Sequence, residues 1–529
     1  MSQQNEIIFE TDGRHSSIYL YEPPMGVRQY VEPIDEVLDL GVDTISYVVG
    51  DCSVLLYDTK VGERWGHNVD LADHEVWYKA AQNCQAMIES GRDPLLLVCE
   101  HAHQRGLNFL PHLLLNMIHT PHGRVTNCRV ADFTSEHPEW KVGEEADFPA
   151  AEFDNPNRLS FAVPEVRENR LAIIGELLAD YPTDGIEINF HTYAPFIARR
   201  EVPEHTATMT EWLRQIRHAC DGAARMQGRE KRLVVRIAAT LEGNERIGHD
   251  ISTWVQEGLV DTLIAMPVGG DFSSETASLR QLTALGEDSN IPVIAGLDSV
   301  GPEQNPAVHR AATANAYDAG VRGILYHRYY PPPHRYPYTT QDTERLRYLA
   351  YPDIIAHKDK TFYVGPGFDR PKGISFGLEE QLPQELKVGK KGREIYIDVA
   401  DDIAAKQTAG ELWRCELRVM LGEMLHDDEA RLYWNDAEVA AEQIRKADWV
   451  FQMRPNTGTR GYRLHIDLTR FTLPRKGTNT VRVDLVRKDE KLIHPISIHD
   501  LDIVVEYLPH RNALRNDETY SGADVPFTP

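Results

Sequence analysis

Cysteine and positive charge are both scarce in this 529-residue chain. Its six cysteines (Cys52, Cys84, Cys99, Cys128, Cys220 and Cys415) form no CxxC pair and follow no regular spacing. That argues against a disulfide frame or a zinc ribbon and for free thiols of a cytosolic protein. Lys and Arg number 56 against 81 Asp and Glu, a formal charge of -25. This disfavours nucleic acid and anionic membrane surfaces as partners, though a local arginine cluster could still meet a small anion. No apolar run is long enough to span a bilayer. Residues 1–17 lack the basic and apolar regions of a signal peptide, so a cytoplasmic location is expected unless a leader has been removed. Glycines form no dinucleotide fingerprint or phosphate loop, and no GxSxG elbow occurs. No cofactor is expected. His101-Ala102-His103 has the look of a metal pair, but on a helix positions i and i+2 point apart, so no metal is expected either.

What is present is core material, with 42% hydrophobic residues, and one informative stretch, Thr183 to His191. It follows a run, Pro164 to Tyr181, in which Val166, Leu171, Ile174, Leu177 and Leu178 recur at a helical period. Side chains alternate along a strand, so Ile186, Ile188 and Phe190 share one face and Glu187, Asn189 and His191 the other. A carboxylate, an amide and an imidazole fill a core poorly. They suit the C-terminal mouth of a parallel barrel, where active sites of that fold sit.

The rest of the chain supports that fold. Residues 1–40 read as an entry segment, with a short strand at Ile18 to Tyr21 and a helix from Val31 to Leu40. Strands are expected at 43–51, 107–116, 158–161, 184–190, 232–239, 261–267, 291–298 and 323–328, most of them separated by helices. Eight strands counted from Thr44 give a (β/α)8 TIM barrel over 1–360, with a doubly wound open sheet as the runner-up. From about Thr361 short alternating runs between turns predict an antiparallel β-sandwich over 361–510, and 511–529 reads as an extended tail.

Several marks are shared with a known group. They are Asn116 at the end of the second counted strand, the run Val163 to Arg170, the phrase Asp184-Gly185-Ile186-Glu187, and the stretches Trp254 to Asp261 and Ala311 to Gly320. In these the chain resembles bacterial glycoside-hydrolase-like barrels with a C-terminal β-sandwich. Related sequences read Leu-Asp-Phe where this chain has Ile188-Asn189-Phe190, and Arg-Met-Asn-Asp where it has Leu114-Leu115-Asn116-Met117. Two carboxylates and an arginine are thus missing, and Glu187 is the one matched acid.

The resemblance implies a hydrolase acting on an oligosaccharide, for which two carboxyl groups normally flank the scissile bond. Glu187 is expected to be the general acid, its pKa raised in a partly apolar mouth. Asp298, ending strand seven, is the first choice as its partner, and Asp271, past strand six, the second. Asp51, Asn116, Asn189 and His191 are expected to hold sugar hydroxyls. His327 and Arg328 end strand eight, and Tyr330 lies in an aromatic, proline-stiffened loop, Tyr329 to Tyr338, that could stack on a sugar ring. Long loops after the first strands favour exo-attack on short chains. A lyase or isomerase using His191 as base is the enzymatic alternative, and a carbohydrate-binding pseudoenzyme is the other. The sandwich is expected to buttress the barrel, and a homo-oligomer is left open.

Overall fold

The computed structural model describes residues 5–72, 74–119, 127–143, 157–267, 272, 276–298, 305–327, 340–365, 381–448, 461–508 and 510. Eight parallel strands close on themselves: β1 (Glu6–Thr11), β2 (Thr44–Asp51), β3 (Asn108–Leu114), β4 (Gly185–Asn189), β5 (Arg232–Ala238), β6 (Thr262–Met266), β7 (Val293–Asp298) and β8 (Gly323–His327). Closure comes from β1, which pairs with β8 through Glu6 and Gly323 and with β2 through Ile8 and Thr44.

The barrel reading holds, with one exchange of members. The first strand is Glu6–Thr11, inside what reads as an entry segment, while Arg158 to Phe161 is no barrel strand and Leu159 makes a single bridge to Lys141. Five buried residues of β1 fit its place between two neighbours. The run Ile7-Ile8-Phe9 was too short and too close to the terminus to stand out as a strand. Ile18 closes a π-helical turn, Arg14–Ile18, rather than opening a strand, and the helix expected from Val31 runs from Val27 to Asp35 instead.

Alternation along the strands builds two layers. Ile7, Phe9, Ile45, Phe109, Ile186, Ile188, Leu233, Val235, Leu263 and Ile324 face outward into the main core. That core includes Val166, Ile173, Ile174 and Leu177 from the helix Pro164–Ala179, and Trp212, Leu213 and Ile216 from the helix Val202–Gln227. Inside, Ile8, Leu110, Val234, Ile264, Ile294 and Leu325, with Met266, form a separate apolar plug. One step further along β1, β3, β5 and β8 the inward positions turn polar, at Glu10, His112, Arg236 and His327.

Gly185 lets β4 lie against β5. Its φ is +141°, and a Cβ there would sit 2.0 Å from the Arg232 carbonyl oxygen. Gly185→Ala is therefore expected to cost about 1–3 kcal/mol, read as a lower urea midpoint; an unchanged midpoint would contradict this close approach.

Beyond the barrel, Lys360–Val364, Ser497–Tyr507, Leu412–Gly422, Gly461–Asp467 and Ile444–Asp448 form one antiparallel sheet, joined by Gln384–Glu385. Ile395–Val399, Gly477–Arg487, Glu429–Trp434 and Ala437–Glu438 form a second. Leu417, Val419, Ile503 and Val505 of the first meet Ile397, Val481, Val483 and Trp434 of the second in a shared core. This is the expected sandwich, and it is tied to the barrel helices: Thr276 donates to Asp398 at 2.5 Å and Asn315 donates to the Asp398 carbonyl at 3.0 Å. No helix among the described residues is long and apolar enough to cross a membrane. All six cysteines are buried and none is in a disulfide.

Candidate active site

Directly above the apolar plug lie Glu10 from β1, Ser46 from β2, His112 from β3, Glu187 from β4, Arg236 from β5 and His327 from β8, all buried. Their centre is the Arg236 guanidinium. One nitrogen lies 2.6 Å from Glu10 Oε2 and the other forms a close ion pair with Glu187 Oε1. The remaining Glu187 oxygen accepts from the Ser46 hydroxyl at 2.5 Å. His327 Nδ1 stands 2.8 Å from both Glu10 Oε2 and Arg236.

Burial pushes the Glu10 carboxyl up, but His327 and Arg236 outweigh it and hold the group well below the usual range. Burial also disfavours the charged form of Arg236, and the two carboxylates more than offset that. His112 goes the other way. Its burial, with Arg236 beside it, pushes it down to about 4 despite Glu187 and Glu10. Asn189 donates to His112 Nε2 at 3.1 Å, which leaves the ring proton on Nδ1, 3.5 Å from Glu10. Glu10, His112 and Glu187 bring one ligand atom each within 4.8 Å of one another, a set that could hold a cation. Here the guanidinium already spans both carboxylates and supplies the positive charge.

Above this layer the mouth begins. Asn189 Oδ1 accepts from the backbone of His191 and Thr192 at 3.0 and 2.9 Å, shaping the turn that follows β4. His191 is half-buried beyond it. Asn116 is committed to backbone on both sides of its amide: it donates to Leu159 and Pro195 carbonyls and accepts from Leu159 N–H. It thus clasps the segments that follow β3 and β4. Asp51, at the end of β2, accepts from Arg14 at 2.8 Å and Arg129 at 2.5 Å, with His119 at 3.6 Å. Burial raises this carboxyl's pKa, and Arg129 and Arg14 overcome that to hold it well below its ordinary value. Arg14 and Arg129 in turn stack on Trp65, at 5.5 and 5.8 Å.

The structure therefore gathers Glu187 and His327 in one network, with Asn189 joined through His112. Asp51 and Asn116 sit in separate polar knots on the rim. Asp298 closes β7 in register with His327; its side chain, and Asp271, Arg328 and Tyr330, lie outside the described residues. Sequence reasoning missed Glu10 and Arg236. The signal for Arg236 was there: Val234, Arg236 and Ala238 share the inward face of an apolar strand, and a buried guanidinium needs an acid opposite.

Residues 16–212 match the family model described as Glycosyl hydrolase-like 10. Over that stretch the expected resemblance to glycoside-hydrolase-like barrels holds. The stretch contains β2, β3 and β4 with Glu187, while Glu10, Arg236, Asp298 and the sandwich fall outside it. No curated protein matches the chain. Among solved structures, α-L-fucosidase isoenzyme 2 from Paenibacillus thiaminolyticus is similar at 14% identity over 67% of this chain and 49% of its own, with a TM-score of 0.39. This chain thus spans about half the length of that fucosidase. The PgaB (BpsB) glycoside hydrolase domain from Bordetella bronchiseptica is similar at 13% identity, over 66% of this chain and 99% of its own, TM-score 0.39. An α-amylase from Lactobacillus plantarum is similar at 12% identity, over 90% and 98%, TM-score 0.39. These scores identify no substrate.

Proposed function

We propose that this chain is a glycoside hydrolase that trims short oligosaccharides from one end, with Glu187 as general acid and Asp298 as its carboxylate partner. The observation that carries the reading is the polar layer itself. Two carboxylates, a guanidinium and two imidazoles are costly to bury, and a barrel core gains nothing from them that apolar side chains would not supply. They lie toward the strand ends where this fold does its chemistry. The match to a glycosyl hydrolase-like model over the strands around Glu187 supports the same class.

Both Glu187 oxygens are engaged, by Arg236 and Ser46. To reach a leaving oxygen the carboxyl must let go of Arg236. That exchange leaves no bare cation, because Arg236 keeps Glu10 at 2.6 Å. His191, half-buried past the turn that Asn189 shapes, is assigned as a hydroxyl partner on this reading. A cytoplasmic location fits a substrate already cut to short chains.

The same ion pair favours a second reading, a carbohydrate-binding barrel that does not hydrolyse. Asn189 stands where related sequences carry aspartate, and Glu187 is held by a guanidinium. One experiment separates the two. Wild type, Glu187→Gln and Asp298→Asn are incubated with a broad oligosaccharide panel, and hydrolysis and binding are measured together. Loss of a positioned general acid is expected to lower kcat by about 10²–10⁴-fold with sugar binding retained. Equal turnover in wild type and Glu187→Gln would move the acid elsewhere. Binding without turnover in any of the three would establish the binding protein.

A further inference from the structure

A second cluster of ligating groups lies away from the barrel axis, where the excursion after β2 meets the segment after β3. Glu63, His67 and Asp132 bring one ligand atom each within 4.8 Å of one another. His67 Nε2 is 3.0 Å from Glu63 Oε2 and 3.0 Å from Asp132 Oδ2. We propose that these three side chains bind a divalent transition metal of the zinc class, leaving a fourth position to water.

The argument rests on how each ligand is held. His67 Nδ1 lies 3.0 Å from the Arg64 carbonyl, so its N–H is directed there, and Nε2, whose proton an ion would displace, faces the two carboxylates. An imidazole anchored on its far nitrogen is how metal-binding histidines are oriented. Glu63 is anchored as well, since its oxygens accept from the backbone N–H groups of Asp132 and Phe133 at 2.7 and 2.9 Å. Asp132 is anchored on its other oxygen, which accepts from Asn68 at 2.7 Å. His67 and Asp132 are thus fixed through the atom that faces away from the cluster, while Glu63 Oε2 faces His67 and also accepts from the Asp132 N–H, leaving its second lone pair for an ion.

The chemistry of the set chooses the ion. One imidazole and two carboxylates match the N/O preference of zinc, and three protein ligands suit its four-coordinate habit. Calcium and magnesium favour all-oxygen cages with more ligands. The two elements so joined are the short strand Glu63–Arg64 and the helix Asp132–Ser135. Between them stand Trp65 and Arg129, which pack together at the rim beside Asp51. A bound ion would fasten that rim, whatever the barrel does to sugars.

The test is calorimetric titration of zinc chloride into the full chain, beside His67→Ala, Asp132→Asn and Asn68→Ala, with circular dichroism to confirm each fold. One equivalent of zinc is expected to bind wild type, and the loss of either ligand to abolish that site. Asn68→Ala, which removes only an outer partner, is expected to weaken binding about 10–100-fold. Asp132 is half-exposed, so its amide variant should fold even where the histidine variant does not. A variant isotherm identical to wild type, or no zinc uptake by wild type, overturns the assignment.

Discussion

Replacing Arg236 by methionine is expected to destabilise the barrel by about 3–5 kcal/mol, the usual cost of removing one partner from a buried ion network. The guanidinium is fully buried and is shared by Glu10 and Glu187, themselves buried. Methionine fills much of the volume but removes the cation that both carboxylates share, leaving Glu10 with His327. Against a whole-domain stability of about 5–15 kcal/mol that is a large fraction, visible as a lower urea midpoint or lost soluble yield. Lysine is expected to recover only part, because an ammonium is a point charge and cannot span both carboxylates as a planar fork does. Adding Glu10→Gln and Glu187→Gln to the methionine variant should restore stability, since the penalty is uncompensated charge rather than lost volume. A single methionine variant within about 0.5 kcal/mol of wild type, the ordinary range for a harmless surface change, would show that the network carries no such charge balance.

The same network marks where sequence reasoning reached and where it stopped. The period of the chain was legible from β4 onward because each strand is a short apolar run preceded by an amphipathic helix. Glu187 was legible as an inward group, since Ile186 and Ile188 on either side fix which face it takes. Its surroundings were not. Glu10 belongs to a strand distant in sequence that becomes a neighbour only when the barrel closes, and no local pattern announces closure. Arg236 was in view but unpaired, because periodicity gives the face a side chain takes and not the residue across from it. Asn116 was legible only in part, for a related reason. A polar residue at a strand end is equally suited to a sugar hydroxyl or to backbone carbonyls, and only the return of Leu159 and Pro195 to that point shows which groups engage it here.

Acid is expected to unfold the barrel well before its carboxylates titrate. His112, His249 and His309 are buried, and their burial pushes them down to about 4, about 3 and about 3. His249 packs against Phe190 at 4.6 Å and Trp254 at 5.4 Å, and His309 against Tyr326 at 5.2 Å. Among the described residues neither imidazole has a hydrogen-bond partner. In the unfolded chain each would take up a proton near its ordinary value of about 6.5. Between about pH 6.5 and 4 the unfolded state therefore binds up to three more protons than the native state. Stability falls with each unit of acidification there, approaching about 4 kcal/mol per unit when all three contribute. Glu10 and Asp51 act in the same direction lower down, because their folded values are depressed. Their stabilisation is present above the ordinary carboxylate range and is lost as pH falls from there through their depressed folded values. Urea midpoints at pH 7.5, 6.5, 5.5 and 4.5 should fall steeply over the last three. His249→Leu, which keeps an apolar group among Phe190, Phe196 and Trp254, should remove about a third of that slope. A profile as steep in the leucine variant as in wild type would mean that His249 already carries its proton in the folded barrel.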